Sequence, residues 1–295
     1  MNTTIVSTVR ELRQAVHQSR KKRQRIGFVP TMGALHAGHV SLIKRSVEEC
    51  DYSIVSIFVN PTQFRPSEDY HKYPRTLEKD VEMCNQAGAQ LVFTPSVEEM
   101  YGKASFAAGE RARSTFVEVP DISDILDGKS RPGHFRGVAT VVNKLFNQVL
   151  PDKAYFGQKD AQQVSVIQTM VRELSMPVEI VVCPTMREND GLAMSSRNRY
   201  LTSKQRENAT VLYHALNEVR ERVIEGERDA GLLQVIMAGM LEETEGCEKE
   251  YSVIVNPETF QPISRIEGPA LALIAARFGE TRLIDNMQLG ENALA

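Results

Sequence analysis

A chain of 295 residues, 42% apolar and 25% charged, is long enough for two modest domains or one large one and has the composition of a soluble globular protein. A net charge of −3 excludes the overall basic field that gathers nucleic acid or an anionic membrane surface. The basic run Lys21, Lys22, Arg23 and Arg25 reads as a solvated helix end. Cys50, Cys84, Cys183 and Cys247 form no C-x-x-C pair, so neither a zinc site nor a disulfide framework is indicated, and each reads as a small hydrophobe in a reducing compartment. No run approaches membrane-spanning length and no basic segment precedes an apolar one at the N-terminus, so the expectation is a soluble, cytoplasmic protein.

In chain order, "IGFVPT" (26–31) and "SIVSIFVN" (53–60) are dense enough in Val, Ile and Phe for strands buried on both faces, and Leu42, Ile43, Val47 and Cys50 recur between them at helical spacing. "TLEKDVEMCNQAG" (76–88) repeats the helical pattern and ends in a glycine suited to a C-cap; "AQLVFTP" (89–95) follows as a strand. "GVATVVNKLFNQVL" (137–150) puts Val138, Val141, Val142, Leu145 and Val149 on one stripe. Next come a strand "KAYFG" (153–157), a helix from about Asp160 to Leu174 and a strand "VEIVVCP" (178–184). This alternation predicts a Rossmann-like, doubly wound parallel sheet over residues 1–184, with ligands beyond the carboxyl ends of its strands. Residues 185–295 read differently. A long helix opens on the capping-box pair Thr202 and Gln205, and a second helix lies near 229–245. The strands "YSVIVN" (251–256), "ALALIAARF" (270–278) and "TRLIDNM" (281–287) complete a smaller α+β domain, with a hinge expected between Pro184 and Tyr200.

Chemistry-bearing residues gather at the strand ends. After the first of these strands, Gly33 and Gly38 open a helix whose N-terminal amides would attract an anion, and His36 and His39 share one face of its first turn. Phosphate binding, a two-histidine metal site and a packed structural pair are all compatible with that spacing. In "FVNPTQF", Gln63 is either a loop amide or a group that donates to one substrate atom and accepts from another. In "FGQKDAQQ", Lys159 could neutralise polyphosphate, Asp160 could cap the helix or accept from ribose, and either Gln162 or Gln163 could point inward. "GLAMSSRNRYL" sets Ser195, Ser196 and Arg197 in an irregular segment with no acidic neighbour, as expected of a mobile phosphate-covering loop or an exposed linker.

Taken together, "PTMGALHAGH", "FVNPTQF", "YPRTLEKD", "RPGHFRGVATVV", "FGQKDAQQ" and "MSSRNRYL", in this order over about residues 25 to 201, resemble the pantoate–β-alanine ligases. That family belongs to the HIGH-motif nucleotidylyltransferase superfamily. The resemblance implies an amide-bond-forming, AMP-forming ligase of pantothenate (coenzyme A precursor) synthesis. Pantoate attacks the α-phosphorus of ATP to give pantoyl adenylate and pyrophosphate, and β-alanine then attacks the acyl carbon to give pantothenate and AMP. Carried over by position, Met32, Gly33, Ala34, Leu35, His36, Ala37, Gly38 and His39 form the ATP turn, His39 serving the leaving group. Gly157, Gln158, Lys159 and Asp160 contact ribose and phosphate, with Lys159 spanning the reacting phosphates. Met186 and Met194 offer backbone groups to adenine, and Ser195, Ser196 and Arg197 cover the triphosphate. Gln63 and Gln163 hold pantoate, Gln63 also serving β-alanine, and Gln162 becomes structural. Val138, Val141 and Val142 either line the pantoate methyl pocket or are core.

Mg²⁺ is expected through the ATP phosphates, with Asp80 near it. Lys79 stands where some relatives carry a second acid, and Arg136 where many carry a smaller or acidic residue. The family also implies a homodimer, and no nucleic-acid or membrane partner is expected. Two other readings remain: a nucleotidylyltransferase that leaves AMP on its product, and a non-catalytic nucleotide- or tRNA-binding relative. The paired glutamines and the "MSSRN" segment favour the ligase over the first. The slightly acidic balance and the lack of an anticodon-binding extension weigh against the second.

Overall fold

The computed structural model describes residues 3–64, 70, 72–102 and 115–290. Tertiary contacts divide the chain into two compact units. Residues 1–157 with 166–183 make the first; residues 158–165 with 184–295 make the second.

The first unit is built on six parallel strands: β1 (Thr4–Val6), β2 (Ile26–Thr31), β3 (Tyr52–Ile57), β4 (Leu91–Phe93), β5 (Lys153–Gly157) and β6 (Glu179–Cys183). Their order is β1-β4-β3-β2-β5-β6. The order reverses between β2 and β5, the switch point at which doubly wound sheets place ligands. The helices are α1 (Val9–Lys21), α2 (Ala37–Glu49), α3 (Leu77–Gln86), the short α4 (Val97–Tyr101), α5 (Pro120–Ser123) and α6 (Leu126–Ser130), α7 (His134–Val149), and α8 (Ala161–Glu173), which crosses from the second unit into the first. The apolar runs in β2 and β3 follow from burial on both faces. On one side Val29 and Val55 pack with Leu42, Ile43, Cys84 and Tyr155. On the other, Phe28 and Phe156 meet Phe146 of α7 edge-on, at 6.3 and 6.4 Å between centroids. All four cysteines are free; burial pushes the Cys84 thiol up to about 12 and the half-buried Cys247 thiol to about 11.

The second unit packs α10 (Val211–Ile224) and α11 (Ala230–Glu242) onto an antiparallel sheet, β7 (Cys247–Val255), β8 (Ala270–Phe278) and β9 (Thr281–Leu289). The long helix expected from Thr202 is two: α9 (Ser203–Asn208), which opens on the Thr202–Gln205 capping box, and α10. At the break, the Thr210 hydroxyl donates to the Glu207 carbonyl, and the amides of Thr210 and Leu212 reach back three residues rather than four. Side-chain competition for a helical carbonyl tightens the turn there. β1, too short and exposed to show a period, is not legible in the sequence.

Candidate active site

The turn after β2 contradicts the simple anion cradle. Gly33 (φ +82°) and Ala34 (φ +52°) both take left-handed backbone, which curls the chain over Asp80 of α3. That carboxylate accepts from the Ala34 amide (2.9 Å), the Leu35 amide (2.8 Å) and the Thr76 hydroxyl (3.1 Å), and is 1% exposed. The Gly33 amide donates to the Thr31 hydroxyl oxygen at 3.1 Å. The amides of Gly33, Ala34 and Leu35 are therefore committed inside the protein. Asp80, expected beside magnesium, pins this turn through both its oxygens.

What the turn offers is imidazole. His36 is the N-cap of α2: its Nδ1 accepts from the Gly38 amide at 3.2 Å, and the His39 Nδ1 accepts from the His36 amide at 3.4 Å. The two rings form a reciprocal capping box, a pattern usually made by Ser or Thr with Glu. An Nδ1 that accepts carries no proton, so each neutral ring holds its N–H on Nε2. The rings lie 4.1 Å apart. This pair is a double N–H donor, built with no permanent positive charge.

Gln63 sits in the 3-10 turn Pro61–Gln63 after β3 and is 7% exposed. Its amide is oriented by Asn60. The Asn60 Nδ2 faces two acceptors, the Gly137 carbonyl (3.2 Å) and Gln63 Oε1 (3.1 Å), while its Oδ1 takes the Tyr101 hydroxyl (2.7 Å) and the Thr62 amide (3.3 Å). A carbonyl can only accept and an amide N–H only donate, so the orientation of both side-chain amides is settled. Gln63 Oε1 is thus engaged inward, and Nε2, 3.0 Å from the Met32 sulfur, is the group turned toward the turn after β2. Gln63 Oε1 keeps a second lone pair beside the Asn60 bond, and Nε2 keeps a second N–H beside the Met32 contact, so donation and acceptance both stay open to this amide. The Gln63 carbonyl accepts from His134 Nδ1 at 2.8 Å, and Arg131 donates to His134 Nε2 at 2.9 Å. Gly137 permits this packing, since a Cβ there would stand 2.4 Å from the Thr62 carbonyl oxygen. Asn60, Tyr101, His134 and Gly137 escaped sequence reasoning; the only local signal was the turn-forming Asn-Pro pair. Val138, Val141 and Val142 are all buried on α7.

The remaining expected residues belong to the second unit, apart from Gly157, the last residue of β5. Gln158–Asp160 forms a 3-10 turn before α8, with Lys159 Nζ 3.9 Å from Asp160 Oδ1. Gln162 is buried, whereas Gln163 is half-buried. Met186 and Met194 face each other across a short antiparallel pairing in which the Met194 amide donates to the Met186 carbonyl at 2.9 Å. The segment Ser196–Tyr200 is a 3-10 helix rather than an irregular loop. Ser195 caps it by accepting from the Arg197 amide at 3.2 Å, and the Asn198 amide group donates to the Ala193 carbonyl at 3.0 Å. Among the described residues no group of three or more His, Cys, Asp or Glu is placed to hold a metal ion.

The chain matches the family described as pantoate-beta-alanine ligase over residues 4–288. It is 50% identical to the pantothenate synthetase of Caldicellulosiruptor saccharolyticus, over 96% of this chain and 98% of that one. A crystal structure of the pantothenate synthetase of Thermus thermophilus superposes with a TM-score of 0.89 at 46% identity, covering 97% of this chain and 99% of that one. The pantoate-beta-alanine ligase of Francisella tularensis, solved with Beta-gamma ATP and Beta-alanine, superposes at 0.75 with 35% identity and 97% coverage of both chains. With its full ordered set of motifs and near-complete coverage, the chain belongs to the pantoate–β-alanine ligase family.

Proposed function

We propose that this chain joins pantoate to β-alanine in two steps through pantoyl adenylate, with the residue roles that follow. The observation that carries the assignment is the reciprocal histidine cap, which presents two Nε2–H donors at the end of the central strand β2.

In the first step an oxygen of the pantoate carboxylate attacks the α-phosphorus of ATP, and the bond from that phosphorus to the bridging oxygen of pyrophosphate breaks. Pantoate enters already ionised, so no base is required at the nucleophile. The step needs alignment and stabilisation of negative charge on the departing group. His39 Nε2–H donates to the leaving pyrophosphate and His36 Nε2–H to a neighbouring phosphate oxygen. Neutral donors stabilise the charge without holding the product as tightly as fixed cations would. Lys159 and Arg197 supply the permanent positive charge. Gln63 Nε2 and Gln163 hold pantoate. A Cβ at Gly157 would meet nothing within 4 Å among the described residues, which supports close approach of the nucleotide to that backbone. In the second step the neutral amine of β-alanine attacks the acyl carbon, the bond from that carbon to the AMP phosphate oxygen breaks, and the proton lost from nitrogen passes to the departing phosphate or to solvent.

ATP would enter as its magnesium complex, the metal supplying charge neutralisation through the phosphate oxygens, with Asp80 the nearby carboxylate of the ATP turn. The family further supports a homodimer, checked by sedimentation, and a cytoplasmic location, checked by fractionation.

Pyrophosphate–ATP exchange with pantoate present and β-alanine omitted tests the first step directly. Exchange that depends on pantoate is expected; its absence from folded protein removes the adenylate. His39→Ala should slow exchange about 100-fold while the chain still folds, with a melting temperature lowered by the lost helix cap, and unchanged exchange would take His39 out of the chemistry.

A further inference from the structure

Two consecutive polar residues on β9, Asp285 and Asn286, are 2% and 3% exposed. Neighbouring strand residues face opposite sides, so one of the two should be open. Its even-numbered companions on β9, Arg282, Ile284 and Gln288, are half-buried or exposed. Asn286 is the exception on that face because the Gln158–Asp160 turn covers it. Its Nδ2 donates to two successive carbonyls, Gln158 O and Lys159 O, each at 2.9 Å, and its Oδ1 accepts from Gln158 Nε2 at 3.1 Å. Two carbonyls that bond one amide group must converge, which sets the curvature of the turn and the direction in which Lys159 leaves it.

Asp285, on the core face, holds the other nucleotide segment. Arg187, next to Met186, reaches Asp285 with both terminal nitrogens, at 2.6 and 3.1 Å. The same guanidinium donates to the Gly191 carbonyl and the Asn286 carbonyl, and lies 4.9 Å over the Tyr213 ring. Burial raises the Asp285 carboxyl above the ordinary carboxylate range, and the Arg187 fork opposes that shift. A buried ion pair is a poor source of stability compared with apolar packing, whereas its directional bonds hold geometry.

We propose that Asn286 is a positioning residue for nucleotide binding: its amide sets the Gln158–Asp160 turn so that Lys159 meets the phosphates, while Asp285 anchors the Met186–Met194 segment through Arg187. The proposal rests on the reading that Lys159 and the Met186–Arg197 stretch handle ATP.

Asn286→Asp keeps the size and the acceptor but replaces the donors, and Asn286→Ser keeps a single donor should the aspartate variant fail to fold. MgATP titrated by calorimetry and steady-state kinetics on the full chain give the readout, with melting curves to certify folding. N286D should weaken the MgATP Kd and KM about tenfold and N286S about threefold, with the KM for β-alanine changed less than twofold. In a Lys159→Ala background the same substitutions should add less than twofold, because the effect is relayed through Lys159. Unchanged MgATP binding, equal rises in every KM, or full additivity with K159A would each overturn the proposal. Pantoate-dependent exchange by the wild-type protein judges the ligase reading separately; the MgATP titrations judge Asn286 whichever way that assay falls.

Discussion

Two turns follow two adjacent parallel strands, and each is held by one buried side chain remote in sequence, with opposite polarity. After β2, the Asp80 carboxylate takes backbone N–H groups of Ala34 and Leu35. After β5, the Asn286 amide takes the carbonyls of Gln158 and Lys159. An acceptor clamp uses up donors, so the first turn is left to present imidazole N–H groups. A donor clamp uses up carbonyl oxygens, so the second turn leaves the Lys159 side chain as the charged group it offers. In both, the clamped backbone groups are satisfied by the protein, and side chains are left to offer the remaining donors. This reverses the usual arrangement, in which a glycine-rich turn offers its own amides to phosphate.

The severest way to break the contrast is Asp80→Ala. It strands two buried amides and a hydroxyl, and should cost about 3 kcal/mol in denaturant unfolding with at least a 100-fold loss of exchange. Full exchange would show that the carboxylate does not organise the turn. Gly137→Ala tests whether the neighbouring Gln63 platform is held by close backbone approach. Its Cβ would stand 2.4 Å from the Thr62 carbonyl oxygen, so about 2 kcal/mol of destabilisation and a raised KM for pantoate are expected; a neutral result would mean the 3-10 turn yields freely.

At the far end of α2, Glu49 is bonded by Lys153 at 2.9 Å, by Arg45 and by Tyr155 at 3.1 Å, which hold its carboxyl down to about 2. A lowered folded pKa stabilises above the unfolded value of 4.5, and the contribution fades as pH falls from 4.5 toward 2. Glu49→Gln should therefore be about 1 kcal/mol less stable at pH 7, with the gap closing across that window. A gap independent of pH would assign the loss to packing. Tyr101→Phe is the mildest change: Asn60 Oδ1 keeps the Thr62 donors, and a loss of about 0.5–1 kcal/mol, seen as a KM for pantoate raised a few-fold, is expected. No change in that KM would remove Tyr101 from the positioning of Gln63.

Local pattern determined a great deal. The strands at 26–31, 153–157 and 270–278 fall where their apolar runs lie, the α9 capping box where Thr202 and Gln205 stand, and the parallel sheet follows from strand–helix alternation. Such features depend on neighbours three or four residues away, or on one buried face. The motifs that carry ATP and pantoate chemistry were legible by their residue types and order.

The tertiary structure alone decided what each of those residues is free to do. Nothing near residue 34 announces that a carboxylate at 80 will take its amide, and nothing near residue 159 announces an asparagine at 286. The orientation of the Gln63 amide depends on Asn60, and that of Asn60 on Gly137 and Tyr101. The physical reason is saturation: a buried polar group must find a partner, and which partner it finds depends on chain crossings that no local pattern encodes. Sequence named the chemical groups; packing determined which of their donors and acceptors remain for substrate.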